Sequence, residues 1–211
     1  TLSGDMSAPS LNISSTGTMT LQNPSSTDSS NVMLKVEGDV IVHGTIAIRA
    51  ATISCRTLSV KQTGVITASS LGYLQDEGPG KPPPEGNYKA GGGTHAGYGG
   101  GWTYSGVWNS GGLTTYGSVT NPIKMGSGAG PTYAGGAGGG AIHILASESM
   151  VLHNGGKLIA DGGTSSTNGG GGAGGSIWLE SPVVELSGVL SANGGECPPI
   201  HHNHGGGGGG G

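Results

Sequence analysis

The chain has 211 residues, of which 48 are glycine and only 9% are charged, with no phenylalanine and a formal net charge of -4. Nucleic-acid binding is excluded, because it needs clustered Lys and Arg and the basic residues here are scattered. Collagen is excluded because glycine does not recur at every third position. Global disorder is excluded because it combines few apolar residues with high net charge, whereas Val, Ile and Leu occur here in short dense runs.

The length suits one domain, and no run of about 18 apolar residues predicts a membrane span. No signal peptide is visible. A start at Thr1 without Met and an end in Gly205–Gly211 read as a mature form or fragment whose C-terminus is cut or runs on.

Residues 1–31 are a Ser/Thr-rich N-terminal segment with one strand candidate, Thr18–Leu21. Asn12-Ile13-Ser14 is the N-glycosylation acceptor, since Pro24 disqualifies Asn23. Residues 32–72 read as first β-solenoid rungs. Val32–Val36, Val40–Val42, Ile46–Ile48, Ile53–Cys55, Leu58–Val60 and Val65–Ala68 are short, β-branched and divided by Gly or polar residues. No apolar stripe at helical spacing appears, so no helix is predicted.

Residues 73–140 read as a Gly/Pro/aromatic-rich insertion. Its prolines cannot donate to a sheet ladder. It holds eight of the nine aromatics, from Tyr73 to Tyr133. Residues 141–195 read as further rungs, because a repeat emerges there. Gly139–Ile144 matches Gly174–Leu179, and Gly156–Gly163 matches Gly188–Gly195. The half-motif occurs earlier as Gly64–Ala68 and, more loosely, Gly44–Ile48. Short strands cannot hide an apolar side alone, and stacking equivalent ones buries a continuous column. The predicted fold is all-β: a parallel β-helix or β-solenoid with short strands, glycine-rich turns and a long glycine/aromatic-rich insertion. Ile142, Ile144, Ile177, Leu179, Leu158, Ala160, Leu190 and Ala192 are expected to point inward, with His143 and Trp178 outward on one column. Residues 196–211 are a Cys/His/polyglycine tail.

The pattern GGAGGGAIHILA, GGKLIADGG, GGGGAGGSIWLE, SGVLSANGG resembles a glycine-rich repeat of large extracellular proteins of protists and some bacteria, the proteins of flagellar hairs (mastigonemes) and related surface fibres among them. The resemblance spans roughly residues 53–73 and 90–195 and implies a β-solenoid in a surface or matrix assembly. It brings no catalytic residues. It also implies that Pro82, Pro83 and Pro84 are candidates for hydroxylation and attached sugars.

Polysaccharide-cleaving chemistry needs clustered carboxylates. Lys35, Glu37, Asp39 and His43 lie on neighbouring early strands, but a solvated strand face has the same composition. Cys197, His201, His202 and His204 form the sharpest metal candidate, yet ligands crowded beside a glycine tail are not a structural zinc spacing, and a polar loop or a subunit interface reads as well. Cys55 and Cys197 either pair in an oxidising compartment or stay single. No cofactor is expected. Tyr98, Trp102, Tyr104, Trp108, Tyr116 and Trp178 are candidates for subunit or glycan contacts, or for packing within the chain.

The function expected is that of a non-enzymatic structural subunit of an extracellular filament or surface appendage, assembling with copies of itself through solenoid ends and loops, with glycans attached or bound. A glycan-binding adhesin module is the alternative, and a β-helical carbohydrate-active enzyme a more distant one.

Overall fold

The structure, a computed structural model, describes residues 5–22, 31–83, 91–104, 107–109, 111–112, 114–131, 134–166 and 169–197. No helix occurs among them. The chain makes repeated passes of short strands. The first holds β1 (Met6–Ala8), β2 (Leu11–Ile13) and β3 (Thr18–Leu21), and the next holds β4 (Val32–Val36), β5 (Asp39–Val42) and β6 (Thr45–Ile48). Then come β7 (Ala50–Val60) and β8 (Val65–Thr67), followed by a hairpin of β9 (Trp102–Tyr104) and β10 (Val107–Asn109). The passes resume with β11 (Ala141–Leu152) and β12 (Lys157–Ile159), and finish with β13 (Ser176–Glu180), β14 (Val183–Leu186) and β15 (Val189–Ser191).

Two parallel sheets result. One has eight strands around the order β1-β4-β7-β11-β13, with β2, β5 and β14 beside them, and the other runs β15-β12-β8-β6-β3. The hairpin β9–β10 is antiparallel. Side chains alternate across the pleat, so β4 buries Val32, Leu34 and Val36 while Met33 and Lys35 face out. Register then builds columns. Ile46 lies beside Met19 and Ile66, Ile66 beside Leu158, and Leu158 beside Leu190. The half-motifs seen as repeats are therefore lateral neighbours. Ile46, Ile66, Ile142 and Ile144 are fully buried, each stabilising the fold by roughly 1.5–3 kcal/mol. The space left among Leu58, Val60, Met150 and Leu158 measures about 10 Å³, no more than one water needs.

The solenoid expectation needs correction. The sheets do not close into a coil: each pass supplies strands to two sheets, and no strand lines a third side among the described residues. After β6 the chain returns to the eight-stranded sheet through Arg49 alone, too short a link for a third wall, and the long stretches after β8 and β12 are rich in glycine, which has no side chain to turn inward.

The glycine/aromatic-rich insertion is corrected as well. The strands β1–β8, with Ile142–Ile159 and Ile177–Ser191, form one compact unit, while Ala68–Ala141, Ala160–Ser176 and described residues from Ala192 on form another. The second unit is held by backbone. Gly92 N–H donates to the Gly100 carbonyl, Gly93 to Gly171 and Thr94 to Gly80, while Gly112 and Gly130 donate to the carbonyls of Gly92 and Gly91. Successive residues thus bond to different neighbours on several sides. A strand, of period two, bonds to neighbours on two sides only; this pattern is nearer the threefold period of polyproline II. Glycine is required because the segments touch backbone to backbone: a Cβ on Gly136, Gly138 or Gly172 would overlap a carbonyl oxygen of Gly163, Gly126 or Ala137.

Candidate functional site

The feature that sets this chain apart is how its apolar columns end. In the last pass, Val184 lies beside Met150, Leu186 beside Leu152 and Leu190 beside Leu158. The inner partners are each 2% exposed, whereas Val184, Leu186 and Leu190 are 42%, 48% and 41% exposed. Burial was expected for Leu190, and it fails because no described strand follows to cover it. Val183 and Val189 add to the exposed apolar surface. At the opposite edge, Met6, Leu11, Ile13 and Met19 are half-buried. Edge strands carry unpaired N–H and C=O groups that template further pairing unless charge or proline blunts them. Here β14 has Glu185 and is preceded by Pro182, and β15, Val189-Leu190-Ser191, has neither charge nor proline.

A second cluster lies outward on the eight-stranded sheet. His143 Nε2 is 2.7 Å from Glu180 Oε1, and His143 Nδ1 is 3.1 Å from Thr52 Oγ1. The Trp178 ring stacks on His143 at 4.2 Å and 13°, as two outward residues of one column should. Carboxylate, imidazole and hydroxyl in sequence match a nucleophile relay. Thr52, however, is 4% exposed, and its oxygen also receives the Asn31 amide. The hydroxyl has no open approach for a substrate, so the cluster locks neighbouring strands together.

The other early-strand candidates do not converge. Asp39 takes Arg56 at 2.9 Å and Thr57 at 2.7 Å, while His43 lies at the corner after β5. Among the described residues no three His, Cys, Asp or Glu side chains gather as a metal site. His201, His202 and His204 fall outside the described residues, as does Pro84. Cys197 is half-buried and Cys55 buried, and both are thiols in the structure. Burial, with a smaller contribution from Asp39, pushes the Cys55 thiol up to about 11, so it is a poor nucleophile at neutral pH. Asn12 is exposed on β2, Pro82 is buried and Pro83 half-buried.

The aromatic candidates separate. Tyr98 is 69% exposed. Trp102, Tyr104 and Trp108 lie on the hairpin, with side chains outside the described part. Tyr116 is an internal strut: its hydroxyl donates to the Met125 carbonyl at 2.5 Å, lies 2.8 Å from Ser127 Oγ, and its ring tilts against His95 at 4.8 Å. Burial raises the Tyr116 hydroxyl above its ordinary range.

His95 was not singled out by sequence, since a lone histidine among glycines carries no pattern. It is 3% exposed, with Nδ1 2.9 Å from the Gly174 carbonyl. Burial lowers its pKa from 6.5, against the opposing pull of the Gly174 and Gly175 carbonyls. The unfolded chain therefore takes up a proton that the folded chain resists. This contribution is complete above pH 6.5 and is lost as pH falls below it. The urea midpoint should fall between pH 7.5 and pH 5, and His95→Gln should remove part of that fall; equal slopes in both proteins would contradict it.

No protein-family model matches this chain, and no curated protein or solved structure is significantly similar to it.

Proposed function

We propose that the chain is a structural subunit of an extracellular filament or surface appendage, assembling head to tail through the open edges of its two parallel sheets. The observation that carries this reading is the exposed continuation of the buried columns at Val184, Leu186 and Leu190. The column Met19–Ile46–Ile66–Leu158–Leu190 ends at both edges of one sheet. A second copy translated along that column sets its β3 beside β15 and continues the ladder in the same parallel sense. Such a contact joins two different surfaces, and repeated without closure it gives a filament.

Magnitudes set the terms. Covering five half-exposed Val and Leu side chains contributes roughly 4–7 kcal/mol, about the lower bound of the entropic cost of association. The edge hydrogen bonds and the partner's Met6, Leu11, Ile13 and Met19 supply the surplus. The resemblance to surface-fibre repeats points the same way, and exposed Asn12 offers an acceptor for an attached glycan.

Electron microscopy of native material tests this. Filaments of constant axial repeat are expected, and the double variant Leu186→Lys, Leu190→Lys should leave dispersed particles that are still folded, with a thermal midpoint lowered by only a few degrees because both side chains are half-exposed. Dispersed wild-type particles at high concentration would overturn the reading.

A further inference from the structure

The corners where the chain passes from the eight-stranded to the five-stranded sheet differ in length. The β5–β6 corner is His43-Gly44 and the β14–β15 corner Ser187-Gly188, while between them lie the longer turns Lys61–Gly64 and His153–Gly156. The long turns stack: Gly155, at φ +89°, packs against Gln62 so closely that a Cβ would lie 2.8 Å from its carbonyl oxygen. They stand out as a ledge beside the short His43 corner. Thr63 ties the step by donating to the His43 carbonyl at 2.7 Å.

The recess is an open cleft of about 610 Å³ lined by His43, Lys61, Gln62, Thr63, His153 and Asn154. None of these is a carboxylate, in a chain whose net charge is negative. Lys61 is in no ion pair among the described residues. Its Nζ lies 3.3 Å from His153 Nε2, and Ser59 Oγ lies 3.0 Å from the same nitrogen. His153 Nε2 thus lies within reach of both the Lys61 ammonium and the Ser59 hydroxyl, which hold its ring at the cleft. Lys61 has further N–H donors to offer, Gln62 and Asn154 add amide donors, and the half-buried position of Lys61, His43 and His153 limits screening.

We infer that this corner cleft is an oxyanion site, taking a sulfate or carboxylate group, free or carried on an acidic polysaccharide, with Lys61 as its charge and His43, His153, Gln62 and Asn154 as hydrogen-bond donors. An open groove across stacked turns suits an extended polymer better than an engulfed small molecule. The site lies at the corners of the three middle passes, between the two open sheet edges, and is complete within one copy of the chain.

The test is fluorescence anisotropy of labelled dextran sulfate titrated with the full chain, with neutral dextran as the blank. Lys61→Gln should weaken binding about tenfold, the loss of a charge-assisted contact, whereas Lys157→Gln, an exposed lysine of β12, should change it less than twofold. Competition by inorganic sulfate would mark the anion alone as sufficient. Binding of the polymer that inorganic sulfate does not displace, but that Lys61→Gln removes, would mark the polysaccharide as the ligand. Equal losses in the two lysine variants, or binding of neutral dextran, would overturn the site. Because the readout holds for single particles and filaments alike, its failure is separate from failure of the filament reading.

Discussion

Gly138→Ala should prevent the glycine unit from packing. The Gly138 N–H donates to the Tyr73 carbonyl at 2.8 Å, and the Gly138 carbonyl accepts from Gly72 at 2.7 Å. An added Cβ would fall on the Gly126 carbonyl group, well inside the closest approach that real side chains make. The obstacle is backbone, which cannot swing aside as a side chain can, and Gly126 is itself bonded to Gly139 and Tyr73. Relief therefore moves several segments together and breaks more than one buried hydrogen bond, each at about 1–3 kcal/mol. The expected loss is about 4 kcal/mol or more, in the range reserved for specific structural faults. Urea denaturation should show an early transition, with fast amide exchange at Gly72, Gly126 and Gly138. Gly17→Ala, whose Cβ would meet Ser14 Oγ at 3.1 Å, should cost far less. A Gly138→Ala variant as stable as the parent would mean that the backbones are not in contact.

Ile66→Ala should have the next largest effect. Ile66 is fully buried at the middle of the column, between Ile46 and Leu158. The flanking strands are fixed in register by their own ladders, so the space left by the side chain cannot collapse. Large-to-small changes of this kind cost about 2–5 kcal/mol, lowering the thermal midpoint by roughly 5–15 °C for a chain of this size. Leu190→Ala, in the same column but 41% exposed, should cost under about 1.5 kcal/mol in the monomer. The ratio of the two, measured by urea denaturation of dispersed protein, checks that the column is one core with an uncovered end. Equal costs would contradict it.

The local pattern of the sheets was written in the residues. Strands of period two announce themselves where the alternation runs for several residues, as in Val32–Val36. The stacked strands use equivalent positions of a repeat, so the pairing of Ile46, Ile66, Leu158 and Leu190 followed from aligning the chain with itself. The same alignment put His143 and Trp178 on one outward column, where their rings stack. Glu180 and Thr52, which close that cluster, occupy no repeated position and were not legible.

Closure of the sheets and the role of the glycines lay beyond sequence. A glycine has no side chain with which to write a pattern, and its bonding partner is chosen by backbone geometry: Gly93 pairs with Gly171, and Gly130 with Gly91. Read locally, such stretches look like a long loop, whereas their backbone bonds join them into a compact unit. The cleft at His43, Lys61 and His153 arises likewise from a difference in turn length between neighbouring passes, which becomes a shape only when the passes stack. The sequence by itself determined the absence of helix among the described residues, the alternation of faces and the lateral order of repeated strands, because those depend on side-chain period; the three-residue strands Met6–Ala8, Leu11–Ile13, Trp102–Tyr104 and Val107–Asn109 were too short to show one. The tertiary structure alone decided that the sheets stay open, that the glycines pack backbone to backbone, and which polar groups meet at the corners, because those depend on where distant backbones come to lie.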